Sequence, residues 1–146
     1  MAIPDNQQNL RSEKKGFAYL LGELNGLYKP TTIEKKELLK KFDFPARYIR
    51  SFDLIQIKVN SFNEIKILDD VVFFEVKVTA KYLPNFPEGF FFGMTQNEDQ
   101  LLQSYEGVFK ICLVSINEKK CNYIILTHSE LQKLIKVKRV QYQINL

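Results

Sequence analysis

The chain has 146 residues, 45% of them apolar and 26% charged, with a formal net charge of +4 and a pI near 9.0. That length suits a single domain, residues 1–146, with a real core. The mild basicity permits a polyanionic partner. No apolar run reaches the ~18 residues of a membrane span and the first ten residues are polar, so neither a membrane protein nor a secreted one is expected and a cytoplasmic location is.

Residues 1–12 are polar and read as a flexible arm or the first turn of a helix. Residues 13–28 place Phe17, Leu20, Leu21, Leu24 and Leu27 at helical spacing. Lys29-Pro30-Thr31-Thr32 breaks that pattern, and a threonine caps a second helix over residues 33–41. Residues 53–59 alternate as a strand, and 60–63 read as a turn. Residues 64–68 read as more strand, and 71–80 as the strongest strand of the chain. Residues 83–89, with Pro84 and Pro87, form a loop. Residues 90–95 read as a short buried strand or core segment. Thr95 and Glu98 form a capping box for a helix over 96–105. Residues 108–116 and 121–126 make a hairpin, Thr127 opens a last helix to residue 135, and 137–144 alternate like an edge strand. Cys112 and Cys121, both in apolar strand-like segments, lack metal-ligand spacing and read as buried thiols of a reducing compartment. This order suits an α/β (α+β) fold, a mixed sheet flanked by helices.

The chemistry concentrates in Val71-Val72-Phe73-Phe74-Glu75-Val76-Lys77-Val78-Thr79. Strand side chains alternate faces, so Glu75 and Lys77 share one face and Val72, Phe74, Val76 and Val78 share the other. A buried face tolerates two ionisable groups only if they are paired or used; an exposed strand with a solvated Glu/Lys pair fits the spacing equally well. Pairing residues 53–59 with 71–80 antiparallel sets Asp53 opposite Glu75, with the midpoint at position 64, just after the turn. Adjacent strands lie about 5 Å apart, close enough for two carboxylates to share one metal ion. A divalent ion that promotes phosphodiester cleavage needs a few hard oxygen ligands, and a nearby lysine can orient or deprotonate water. Asp53, Glu75 and Lys77 supply that set. Glu64-Ile65-Lys66 repeats the spacing with shorter apolar flanks and a midpoint inside a strand. Asp69-Asp70 reads as an exposed turn. The single histidine, His128, reads as a neighbour of a helix cap. No Ser/His/Asp or Cys/His set and no Gly-rich phosphate loop is present.

The constellation Asp53…Glu75-Val76-Lys77 resembles the signature of the PD-(D/E)XK nuclease superfamily. The resemblance runs from about Gly16 to Leu126: a helix with an acid (Glu23), a strand beginning with Asp53, the Glu75/Lys77 strand, and the helix after Thr95. Phe52 stands where the family carries proline. The resemblance implies a restriction-endonuclease-like fold and Mg²⁺-dependent DNA cleavage, with Mn²⁺ as a substitute. In that reading Asp53, Glu75 and the Val76 carbonyl hold the metal, Lys77 works on the attacking water, and Glu23 is an additional acid. Arg47, Arg50, Lys58, Lys66, Lys81 and Asn97 would contact DNA. Cutting both strands of a duplex calls for two sites, so a homodimer is expected. Restriction, homing and repair roles are equally compatible. Two rival readings are a non-catalytic nucleic-acid-binding module on the same fold, and a protein-interaction domain with a large apolar patch at Phe90–Phe92.

Overall fold

Three threonine–glutamate pairs set where helices begin. Thr31 and Glu34, Thr95 and Glu98, and Thr127 and Glu130 each exchange side-chain and backbone hydrogen bonds, satisfying two donors that a helix start otherwise leaves open. The computed structural model describes residues 5–146, with side chains from Arg11 onward. Its elements are α1 (Asp5–Glu23), β1 (Leu27–Tyr28), α2 (Thr32–Lys41), β2 (Leu54–Ile57), β3 (Val71–Thr79), α3 (Gln96–Ser104), β4 (Phe109–Ile116), β5 (Cys121–Leu126) and α4 (His128–Leu134). A 3-10 turn, Ala46–Arg50, leads into β2.

The five strands lie in the order β1-β2-β3-β4-β5. β3 and β4 are parallel, and the other neighbours are antiparallel. The result is an α/β fold, a five-stranded mixed sheet with four helices packed on it. α3 supplies the crossover that a parallel pair requires. Alternation along β3 divides its side chains between two apolar layers. Val72, Phe74 and Val76 join Phe17 and Leu20 of α1 on one face. Val71 and Phe73 join Leu38 and Leu39 of α2, Leu101 and Leu102 of α3, and Leu131 of α4 on the other. At the centre of the second layer Phe73 stacks on Phe109, 4.4 Å between centroids, with Phe44 and Phe52 edge-on.

The structure departs from the sequence pattern at both ends and in the middle. The first helix starts at Asp5, so residues 5–12 are helical rather than an arm; residues 1–4 lie outside the described residues. It stops at Glu23, because Gly26 takes φ 76° and turns the chain into β1. A Cβ at Gly26 would collide with the Ile57 carbonyl, so the turn needs glycine twice over. Residues 64–68 are not strand. Short 3-10 turns at Phe62–Glu64 and Leu68–Asp70 carry the chain from β2 to β3. The second is closed by Asp70 Oδ2, which accepts from the Lys66 and Ile67 N–H groups at 2.9 and 3.0 Å. Residues 90–95 form no strand: Phe90 and Phe92 pack on the core, while Phe91 is 92% exposed. The apolar patch expected there therefore reduces to one ring. Residues 137–144 form no edge strand and lie exposed. Of the two cysteines expected to be buried only Cys112 is; Cys121 is exposed, because it opens β5 at the end of the sheet. No helix among the described residues is long and apolar enough to cross a membrane.

Candidate functional site

β2 and β3 pair with Leu54 opposite Phe74 and Ile57 opposite Val71. That register has its midpoint at position 64, and its next step sets Asp53 beside Glu75. Asp53 is fastened there twice. Its N–H donates to the Phe74 carbonyl at 2.8 Å, and its Oδ2 accepts the Val76 N–H at 2.8 Å. Because β2 begins at Leu54, the ladder ends at this point and the β2-side edge of β3 is open from Val76 onward. The Val76 carbonyl projects from the same edge as its N–H.

Glu75 is 7% exposed and Glu98 6%, and Lys77 lies between them. The Lys77 Nζ is 3.1 Å from Glu75 Oε1 and 3.2 Å from Glu98 Oε1. Glu98 is the third residue of α3, so the capping box that starts the helix also aims a carboxylate at Lys77. Its Oε1 accepts the Thr95 N–H at 2.8 Å. The other oxygen of the pair, Glu75 Oε2, is buried and has no hydrogen-bond partner. An orphaned buried acceptor is costly and calls for a proton, a water or a cation.

The electrostatics follow from that crowding. Burial, then the Glu98 carboxylate and the Asp53 charge, push the Glu75 carboxyl up to about 10, with Lys77 opposing. Burial also raises Asp53, against the pull of the Val76 N–H and of Lys35 and Lys77. Burial works against a charged Glu98, but hydrogen bonds from Glu75, the Thr95 N–H and Lys77 outweigh it and keep Glu98 ionised. Burial likewise works against a charged Lys77, and the two glutamates outweigh it. Burial and the neighbouring carboxylates thus favour a proton on Glu75, while Glu98 and Lys77 are each held in their charged form.

The donors fit a hard divalent cation. Asp53 and Glu75 offer two carboxylates in adjacent strands, one with an orphaned oxygen, beside the Val76 carbonyl. Magnesium is held by one or two carboxylates and keeps several waters. Among the described residues no group of three or more His, Cys, Asp or Glu side chains is arranged to hold a metal. Glu98 is engaged by the Lys77 ammonium and the Thr95 N–H.

The remaining sequence-derived candidates divide. Glu23 is exposed at the end of α1, which packs on the opposite face of the sheet, and it is not brought to the cluster. Lys58 and Lys66 lie at the far end of the hairpin. Lys58 is five strand positions, about 17 Å, beyond Asp53, and Lys66 is in the connecting turns. They are not brought to the site, because the antiparallel register that unites Asp53 with Glu75 sends the hairpin tip away from them. Lys81 follows β3 at the cluster's end of the sheet, where the Lys81 and Ala80 carbonyls accept from Ser115 Oγ and Asn117 Nδ2. Asn97 is half-buried beside Glu98 in the first turn of α3. Arg47 and Arg50 are exposed on the turn leading to Asp53, and Arg47 lies over the Tyr48 ring. His128 is 4.0 Å from Asp99, on α4 and apart from the cluster.

Glu98, which the sequence offers both as a helix cap and as a residue able to reach the site from the helix start, does both: it closes the capping box and contacts Lys77. One contributor escaped sequence reasoning. Lys35, whose amine lies over the Phe52 ring at 5.3 Å and acts on Asp53, comes from α2 and carries no sequence signal. Two surface concavities, of about 480 and 510 Å³, are lined by other residues, around Tyr28 and Phe62 and around Phe44 and Ile49. No protein-family model, curated protein or solved structure matches the chain.

Proposed function

We propose that this protein is a Mg²⁺-dependent deoxyribonuclease of the PD-(D/E)XK type with a restriction-endonuclease-like fold. The observation that carries the reading is the register of Asp53 against Glu75-Val76-Lys77 at an open strand edge, with Glu75 Oε2 left without a partner. Asp53, Glu75 and the Val76 carbonyl would hold the metal, and Mn²⁺ would substitute for Mg²⁺. When bound, the ion supplies Lewis-acid stabilisation of phosphoryl oxygens and a more acidic water. Lys77 orients the attacking water and offsets the charge that develops on the pentacovalent phosphorus. Glu98 holds the Lys77 ammonium on the side of the strand where Glu75 lies. Arg47, Arg50, Lys81 and Asn97 would meet the phosphate backbone around this end of the sheet. A homodimer would supply the second cut of a duplex.

Incubation of plasmid and single-stranded DNA with Mg²⁺, Mn²⁺ or EDTA tests the proposal beside Lys77→Ala. Metal-dependent cutting that the variant lacks is the expected result. Cutting in EDTA, or full cutting by Glu75→Ala, would overturn it. A second reading has one observation in its favour: the Lys77 ammonium is held between two glutamates, as in a purely structural network. A non-catalytic DNA-binding module of this kind would shift DNA in a gel and cut nothing with any metal.

A further inference from the structure

The excess positive charge of this chain has one address. Residues 131–146 contain Lys133, Lys136, Lys138 and Arg139 and no acidic residue. These four charges equal the whole formal net charge of +4, so residues 1–130 carry 17 basic and 17 acidic side chains and balance. All four basic residues are exposed. Beyond Leu134 the chain has no secondary structure, and Val137, Val140, Tyr142 and Ile144 are 72% to 82% exposed. A segment that buries nothing contributes little to the fold. Among the described residues its one ion pair to the rest, Lys136 to Glu88 at 3.0 Å, is solvent-exposed and worth little. That pair nevertheless says where the segment is rooted: Glu88 lies on the loop between β3 and α3, the two elements that carry Glu75, Lys77 and Glu98.

We propose that residues 135–146 are a DNA-binding arm that lays Lys136, Lys138 and Arg139 along the phosphate backbone of duplex DNA. The inference rests on the DNA partner proposed above and names the surface that binds it. Four positive charges within seven positions, with no acid among them and on a balanced body, make a local positive field that a phosphate backbone neutralises with release of its counterions. The exposed segment orders itself on the duplex, as unstructured basic arms do. Because its root adjoins the β3–α3 loop, a duplex held by the arm passes the end of the sheet that bears the cluster.

The test is fluorescence anisotropy of a labelled duplex in EDTA, so that cleavage plays no part. The full chain, a truncation after Ile135, and the triple variant Lys136→Gln/Lys138→Gln/Arg139→Gln are compared across salt. Each phosphate contact contributes about 0.9 to the slope of log K against log salt, so both variants should lose about 2.7 from the slope and roughly a hundredfold in affinity near 0.1 M salt. The thermal unfolding of both variants should match that of the full chain. Unchanged affinity and slope in the variants overturns the arm, as does a full chain that binds no duplex. Loss of affinity on truncation alone, with altered sedimentation and an intact slope, also overturns it, in favour of self-association through the apolar side chains. Failure of the nuclease reading looks different: the full chain then binds DNA in an arm-dependent way and cuts nothing with Mg²⁺.

Discussion

Glu75→Gln should stabilise this protein at neutral and alkaline pH. A protonated glutamate and a glutamine have nearly the same shape, each with one donor and one acceptor end. Glutamine can therefore accept from Lys77 through its oxygen and set its nitrogen where Oε2 has no partner among the described residues. The difference lies in the unfolded chain, where the carboxyl titrates near its ordinary 4.5 and is ionised at pH 7. In the folded protein it is pushed up to about 10, mainly by burial. The folded state then binds one more proton than the unfolded state, so the stability held below pH 4.5 is lost as pH rises toward 10. Each pH unit in that window costs up to ~1.4 kcal/mol, so folding with Glu75 costs on the order of 3 kcal/mol at pH 7 relative to a neutral side chain. Urea unfolding of both proteins in EDTA between pH 5 and pH 9 reads the effect directly. The gap should be small at pH 5, open steadily with pH, and favour the variant. Saturating Mg²⁺ should narrow it by stabilising only the parent, since a ligand that binds the folded state alone adds stability. Parallel stability curves, or a variant less stable at every pH, would refute the reasoning, because Glu75 would then be an ordinary ionised partner of Lys77.

Two further outcomes test the scaffold. Phe73→Ala removes a fully buried ring from the stack with Phe109 and should cost about 3–5 kcal/mol in a urea titration. A loss under 1 kcal/mol would mean that the aromatic layer is not the core. Thr95→Ala removes the hydroxyl that accepts the Glu98 N–H at 3.1 Å and should cost about 1 kcal/mol. By loosening the first turn of α3 it should also speed amidination of Lys77, measured by peptide mass spectrometry. Stability lost with no change in Lys77 labelling would separate the cap from the ammonium's position.

Most of the local structure was legible in the sequence because its signals are local. The Thr–x–x–Glu pairs mark the starts of α2, α3 and α4, and the alternation of 71–79 marks β3 and its two faces. The register that sets Asp53 beside Glu75 was legible as well, since a short antiparallel hairpin is a local object whose midpoint follows from its turn. Where local signals misled, tertiary context decided. The helical spacing through Leu24 and Leu27 gives way to β1, because Leu27 and Tyr28 gain more by pairing with β2. The alternation of 137–144 finds no neighbouring strand and stays exposed, since periodicity says what a segment can pair like and not whether a partner is within reach.

The site shows the same division. Sequence by itself determined that a carboxylate and an amine share one face of an apolar strand, opposite an aspartate. Only the tertiary structure decided what those groups experience. The crossover through α3 brings Glu98 from 21 positions away onto Lys77, and α2 brings Lys35 toward Asp53. Meanwhile α1 carries Glu23 to the other face. Burial and charge summed over those separate elements set the proton on Glu75. That sum depends on distances through space, and distances along the chain do not contain it.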